Sequence, residues 1–222
     1  HLLQRFKHEV VGIIVEPIQG AGGHRVAEPE FFRGLSRLAH QHEVFLGVDE
    51  VQTAGGLTGD WFMVDQLELP HPPQAVAVAK KFGCGAVYML HPMRDKGVLD
   101  STWGGALADM VRFVQEVKIV ERENLIAAAK VKGERLLSGL RTLETHFPKL
   151  IFNFRGLGLY QGFSLATPEL RSRLKQTALQ EEKLLLLGAG DASIRLRPNL
   201  SVTESEIDLL VEMLERLLRR IA

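Results

Sequence analysis

The chain has 222 residues, of which 45% are hydrophobic and 24% charged, values that are typical of globular proteins. Lys and Arg together number 27, as do Asp and Glu, so no charge excess indicates nucleic acid or an anionic membrane as a partner. Cys84 is the only cysteine, which excludes a disulfide within the chain and leads us to expect a reducing, cytoplasmic location.

The N-terminus has no initiator methionine and no signal or transit signature. The chain begins at His1 and reaches a strongly apolar segment at residues 10–15, as if it started inside a domain. We therefore expect a fragment of a longer protein.

The first part of the chain alternates apolar segments with a helical pattern. Residues 10–15 and 45–48 are continuous apolar runs, which indicate buried strands, and 75–79 indicates a third short strand. Residues 29–42 have helical periodicity, and Pro29 suits the first position of that helix. Strand, helix and strand in this order predict a parallel α/β sheet that is covered on both faces.

Long helices dominate the second part of the chain. The pattern predicts helices over 106–120, 125–145, 169–180 and 203–221, and strands over 151–154, 158–165, 184–187 and 193–197. The last of these strands alternates apolar and basic residues, as a half-exposed strand does. The final helix begins with a capping box of Thr203 and Glu206. We place a domain boundary between residues 105 and 106, so that 106–222 comprises a connecting helix and a small second domain.

Charged residues follow three of the predicted strands: Glu16, the pair Asp49 and Glu50, and the pair Lys80 and Lys81. Ligand-binding groups of parallel sheets lie at these carboxyl ends. From spacing alone, an ion pair that caps the sheet explains these residues as well as a functional site does. A lysine in an apolar site loses its proton more easily, and its neutral amine can attack an aldehyde. A carboxylate beside a pyridine nitrogen holds a proton there and makes the ring an electron sink, and Asp49 suits that role.

Five segments of the chain, in the same order, resemble class III aminotransferases. They are Val15-Glu-Pro-Ile-Gln19, Val48-Asp-Glu-Val-Gln-Thr53 with Leu57-Thr-Gly59, Ala79-Lys-Lys81, Ser101-Thr-Trp-Gly104 and Ile194-Arg-Leu-Arg-Pro198. Within this class they look most like the L-lysine 6-aminotransferase and 4-aminobutyrate aminotransferase branch. The resemblance covers nearly the whole chain. It implies the α/β fold type I of pyridoxal-phosphate-dependent transferases, with residues 1–105 as the C-terminal part of the cofactor-binding large domain.

The resemblance implies pyridoxal 5'-phosphate as the cofactor. Lys80 would be the Schiff-base lysine and would also carry the proton between substrate and cofactor, while Lys81 is structural. Asp49 would pair with the pyridine nitrogen, and Gln52 would hydrogen-bond to the ring oxygen. Thr102 would reach the cofactor phosphate of the neighbouring subunit, which implies that a homodimer is the active form.

The resemblance also implies the substrates. The amino donor would carry a terminal amine, with L-lysine favoured over 4-aminobutyrate, and 2-oxoglutarate would be the acceptor. Only the acceptor has a carboxylate next to the reacting carbon. Arg195 would bind that carboxylate, and Glu16 would cover Arg195 while the donor is present. We interpret Arg197 as a strand arginine that faces water.

The chain departs from the family pattern at two positions and leaves two alternatives open. Gln74 stands where the family usually has an acidic residue, and Ala21 interrupts a Gly-Glu-Gly-Gly pattern. Family members are longer, and their N-terminal half supplies the phosphate loop and the aromatic residue stacked on the cofactor, so we expect an exposed apolar surface here.

One alternative is a non-catalytic, truncated product, and the other is a ligand-binding domain with a capping ion pair. The eight histidines are scattered and do not predict a metal site.

Overall fold

A computed structural model of the chain describes residues 1–7, 9–95 and 102–222. The chain forms two compact units. The first comprises His1–Pro17, Ala27–Gly55 and Phe62–Glu123, and the second comprises Ile18–Val26, Gly56–Trp61 and Asn124–Ala222. The predicted boundary between residues 105 and 106 refers to the domains of the complete protein and stays a prediction.

Both helices and strands occur throughout the described residues. The helices are α1 (Leu2–Arg5), α2 (Pro29–Gln41), α3 (Leu107–Arg122), α4 (Leu125–His146), α5 (Pro168–Glu181) and α6 (Glu204–Ile221). The strands are β1 (Gly12–Val15), β2 (Ile18–Gln19), β3 (Arg25–Val26), β4 (Phe45–Asp49), β5 (Ala75–Val78), β6 (Ala86–Met89), β7 (Ile151–Leu157), β8 (Tyr160–Leu165), β9 (Leu187–Ala189) and β10 (Ser193–Leu196). Among the helices in this part of the chain, none combines the length and the apolar character needed to cross a lipid bilayer.

The first unit contains a four-stranded sheet in the order β1-β4-β5-β6. The predicted parallel arrangement is confirmed for β1, β4 and β5, with Gly12 opposite Phe45 and Asp49 opposite Ala77. β6 runs antiparallel to β5 and was not predicted from the sequence. Its four residues, Ala86–Met89, show no alternation of apolar and polar side chains that would distinguish them from a loop.

Among the described residues β1 lies at the edge of the sheet, and it is not buried there as the sequence predicts. Its neighbour β4 lies on one side only, and the side chains of Val11 and Ile14 are 85% and 79% exposed. An inner strand differs, since Leu46, Gly47 and Val48 of β4 are all buried. Val11 and Ile14 thus contribute to an exposed apolar surface among the described residues.

The second unit contains an antiparallel sheet in the order β7-β8-β10-β9, with α4 and α5 packed on it and α6 packed against these two helices. β10 lies between β8 and β9, and Ser193, Ile194 and Leu196 are buried, so the prediction of a half-exposed strand is wrong. The capping box of α6 is confirmed, because the Thr203 hydroxyl accepts the Glu206 N–H at 3.2 Å and the Glu206 carboxylate accepts the Thr203 N–H at 2.7 Å.

Candidate active site

Three of the predicted site residues lie at one edge of the first unit's sheet. Glu16 directly follows β1, Asp49 is the last residue of β4, and Lys80 lies two residues beyond β5. β1, β4 and β5 are adjacent and parallel, so their carboxyl ends meet at the same edge. The fold therefore brings a primary amine and two carboxylates to a place where α/β proteins bind ligands.

Lys80 has an unusual backbone conformation. Its φ of +55° lies in the left-handed region, which side chains other than glycine seldom adopt. Lys80 begins a 3₁₀ turn over Lys80–Phe82, and its carbonyl accepts the N–H of Gly83 at 3.0 Å. Gly55 packs against this turn so closely that a Cβ there would lie 2.7 Å from the backbone of Lys81. Strained residues of this kind concentrate at functional sites, where the surrounding packing holds them.

The apolar surroundings expected for Lys80 are not seen among the described residues, because Val78 is buried but residues 75–79 do not line the cleft beside Lys80. Lys80 itself is exposed among the described residues. A cleft of about 400 Å³ borders Lys80 and is lined further by Cys84, Trp103 and Arg112. Burial raises the pKa of the Cys84 thiol, which favours its uncharged form and a packing role.

The side chain of Asp49 is held by a hydrogen bond from the turn that follows it. The carboxylate oxygen Oδ1 accepts the backbone N–H of Val51 at 3.0 Å, and the side chain is half-buried. Gln52 follows three residues later and is also half-buried, whereas Thr102 is exposed. Ser101, which belongs to the same predicted motif as Thr102, lies outside the described residues.

Glu50 has a structural role that the sequence analysis did not predict. Its carboxylate is fully buried and accepts the Thr53 hydroxyl at 2.8 Å and the backbone N–H groups of Met63 at 2.8 Å and Val64 at 2.7 Å. Burial raises the pKa of this carboxyl, and the three hydrogen bonds oppose that effect. The Glu50 N–H also donates to the Ala77 carbonyl at 2.8 Å. Glu50 thus fastens the turn after Asp49 to the strand that leads to Lys80.

Gln74, one of the two departures from the family pattern, also serves the sheet. Its side-chain oxygen accepts the N–H of Leu46 at 2.6 Å, and its own N–H donates to the Leu46 carbonyl at 2.8 Å. The amide therefore extends the pairing of β4 with the chain before β5.

Arg195 lies in the second unit, on β10, directly opposite Gly162 of β8. Its Nε and Nη1 atoms are buried, and neither has a hydrogen-bonding partner among the described residues. Leaving a buried donor without a partner costs about 1–3 kcal/mol. The described residues thus leave two donors of this cationic side chain unpaired.

Arg197 does not face water, so that interpretation is wrong. The side chain is half-buried, and its guanidinium carbon lies 5.7 Å from the centroid of the Tyr160 ring. Burial lowers the pKa of Arg197, with the nearby Arg195 acting in the same direction. The sequence pattern could not show this, because Tyr160 is remote along the chain.

His24, Arg155 and Arg195 are close enough for the charges of the two arginines to affect the pKa of His24. The sequence analysis identified neither His24 nor Arg155 as a candidate site residue. His24 is fully buried, and its pKa falls to about 4 because of burial and then because of the positive charges of Arg155 and Arg195. Arg155 donates to the His24 carbonyl at 2.7 Å and to the Ser193 hydroxyl at 2.8 Å. Residues 155–157 looked like a connection between strands, but they belong to β7.

The parallel strands with a lysine at their edge agree with the class of protein that the sequence predicts, a pyridoxal-phosphate-dependent transferase of fold type I. The model of the family described as aminotransferase class-III matches residues 1–218. The chain belongs to the class-III aminotransferases.

Known relatives agree with this assignment. The chain is 36% identical over 212 residues to the L-lysine-epsilon aminotransferase of Mycobacterium tuberculosis, covering 92% of this chain and 46% of the relative. It is 33% identical over 214 residues to the mitochondrial 4-aminobutyrate aminotransferase of Homo sapiens, covering 96% of this chain and 43% of that one. The solved lysine aminotransferase of M. tuberculosis, in its internal aldimine form, superposes with a TM-score of 0.91 at 33% identity, over 99% of this chain and 52% of that structure. The chain thus spans about half the length of the relatives it matches.

Class-III aminotransferases use pyridoxal phosphate, and the residues of the first unit fit this cofactor. The strained turn presents the primary amine of Lys80. The backbone of Val51 orients the carboxylate of Asp49 at the end of the neighbouring strand. An amine that can bond to an aldehyde and a carboxylate that can face a pyridinium nitrogen are the groups that this cofactor requires of its protein.

Proposed function

We propose that the complete protein containing this chain is an aminotransferase that moves a terminal amino group, with the L-lysine ε-amine favoured, to 2-oxoglutarate. The observation that carries the proposal is the position of Lys80, in a strained turn at the end of a strand that pairs with the strand of Asp49. The similarity to lysine and 4-aminobutyrate aminotransferases supports a terminal amine as donor.

Each predicted cofactor-binding residue has a defined role in this proposal. The bound cofactor supplies an electron sink for the carbon that carries the amino group. The amine of Lys80 would hold the cofactor and would serve as the acid and base that takes and returns the proton at the substrate carbon. The carboxylate of Asp49 would favour the protonated form of the pyridine nitrogen, and Gln52 would hydrogen-bond to the ring oxygen. Thr102 binds the phosphate held by a neighbouring subunit, so that a homodimer is the active form.

In this proposal Arg195 and Glu16 allow one site to accept both the amino donor and the acceptor. The acceptor has a carboxylate beside its reacting carbon, and the guanidinium of Arg195 can bind it with charge-assisted hydrogen bonds. The terminal amine of the donor has no such carboxylate, and Glu16 then neutralises Arg195. The two unpartnered buried nitrogens of Arg195 support a role in binding an anion.

Single-turnover absorbance measurements on the complete, cofactor-loaded protein test the proposal. We expect L-lysine to convert the cofactor to its amino form faster than 4-aminobutyrate does, and 2-oxoglutarate to reverse the conversion. Faster conversion by 4-aminobutyrate would instead identify the second candidate, which the human relative supports. If no amine with a terminal amino group converts the cofactor, the proposal fails.

A further inference from the structure

His24 lies in a tight turn of the second unit that Arg155 anchors. The turn joins β2 and β3, and the His24 N–H donates to the Gly20 carbonyl at 3.1 Å. Arg155 donates through Nε to the His24 carbonyl at 2.7 Å and through Nη2 to the Gly23 carbonyl. The same guanidinium binds the Ser193 hydroxyl of β10 at 2.8 Å. The position of His24 is therefore tied to the strand that carries Arg195.

The imidazole ring of His24 rests on the strand pair next to Arg195. A Cβ at Gly162 would lie 2.6 Å from the ring, so the ring packs directly on the backbone of the residue that pairs with Arg195. Tyr160 meets the ring edge-on at a centroid distance of 4.4 Å. Only glycine at position 162 leaves room for this arrangement.

The ring is uncharged at neutral pH. Burial lowers its pKa to about 4, and the charges of Arg155 and Arg195 act in the same direction. Backbone groups of Tyr160 and Arg155 lie near the ring. Among the described residues, however, no hydrogen bond of ordinary length and angle reaches either ring nitrogen. The site thus contains an imidazole that neither carries charge nor neutralises its cationic neighbours.

We propose that His24 is a positioning and specificity residue for the carboxylate that Arg195 binds. Its neutral ring fills the space above Gly162, the residue that pairs with Arg195, and takes no hydrogen bond from the Nε and Nη1 donors of Arg195. A carboxylate in place of the imidazole competes for those donors and for the positive charge of Arg155. This inference rests on the proposed function, because it takes Arg195 to be the acceptor-binding residue.

The backbone of His24 makes a matched test possible. Its φ of +53° lies in the left-handed region, where asparagine and aspartate are the side chains best tolerated. The substitutions His24→Asn and His24→Asp therefore fit the same turn and differ in charge but hardly in shape. The pair His24→Gln and His24→Glu repeats the comparison with longer side chains if the first pair does not fold.

Two measurements on the complete, cofactor-loaded protein compare these variants: the dissociation constant of glutarate, by calorimetry, and the KM values of donor and acceptor. We expect His24→Asp to bind glutarate and 2-oxoglutarate about tenfold more weakly than His24→Asn, a difference of the size that a nearby charge produces. The donor half-reactions of the two variants should agree within about twofold, which a general loss of structure would not give.

Arg195→Ala distinguishes failure of this inference from failure of the proposed function. If Arg195→Ala weakens acceptor binding but the aspartate and asparagine variants bind glutarate equally, the role of His24 is refuted and that of Arg195 stands. Unchanged acceptor binding in Arg195→Ala refutes the proposed function and this inference with it.

Discussion

As the pH falls, the protein should lose less free energy of unfolding when His24 is replaced by glutamine than when His24 is present. The imidazole has a pKa of about 4 in the folded chain and 6.5 as a reference. Between these values the unfolded chain binds a proton that the folded chain does not, so the stability contribution is complete above pH 6.5 and decreases as the pH falls towards 4. At pH 4.5 the linkage relation gives a loss of about 2.5 kcal/mol from this one group.

Urea unfolding of the complete protein at pH 7.5 and pH 4.5 measures this effect. Wild type should lose about 2.5 kcal/mol more than His24→Gln between the two pH values. His91→Gln is the matched control, because His91 is exposed, and it should behave like wild type. Glu50 acts in the opposite direction, since its raised pKa favours the folded state as the pH falls, but it contributes equally to all three proteins. Equal pH dependence of wild type and His24→Gln would refute the argument.

Three further substitutions test the site in the complete protein. Lys80→Ala should abolish transamination and leave the far-ultraviolet circular dichroism spectrum unchanged, and residual turnover would exclude Lys80 as the essential amine. Arg195→Ala should slow the 2-oxoglutarate half-reaction by about 100-fold or more while slowing the donor half-reaction far less, and an equal loss in both would contradict the Glu16 and Arg195 proposal. Gly55→Ala places a Cβ 2.7 Å from the backbone of Lys81, at a residue with φ of +93°. This change should lower the free energy of unfolding by about 1–3 kcal/mol and weaken cofactor retention. Unchanged values in both measurements would show that this packing is unimportant.

The sequence predicted which residues lie at the carboxyl ends of β4 and β5, because the pattern that indicates each strand and the charged residue that follows it are adjacent in the chain. The continuous apolar runs of β4 and β5 indicate inner strands, and the charged residues that end them, Asp49 and Lys80, follow directly in the chain. The parallel pairing then places these ends together. Glu50 could also have been interpreted from local pattern, because consecutive strand residues point to opposite faces and only one of two adjacent carboxylates can face the site.

The sequence did not predict features that depend on distant neighbours. β1 has the same apolar composition as an inner strand, yet its place at the edge of the sheet leaves Ile14 exposed. β10 alternates as a surface strand does, yet two flanking strands bury it. The low pKa of His24 comes first from its burial and then from the charges of Arg155 and Arg195, and these arginines lie far from His24 in the sequence, so the residues around position 24 do not reveal the cause.

The most direct test of the central claim is to locate the cofactor on the chain. The complete protein is incubated with pyridoxal phosphate, reduced with borohydride, digested, and examined by peptide mass spectrometry. We predict a phosphopyridoxyl group on Lys80 and none on the adjacent Lys81, which serves as the internal control. Label on Lys81 instead, or a protein that remains unlabelled, would contradict the assignment of Lys80 as the cofactor-binding residue.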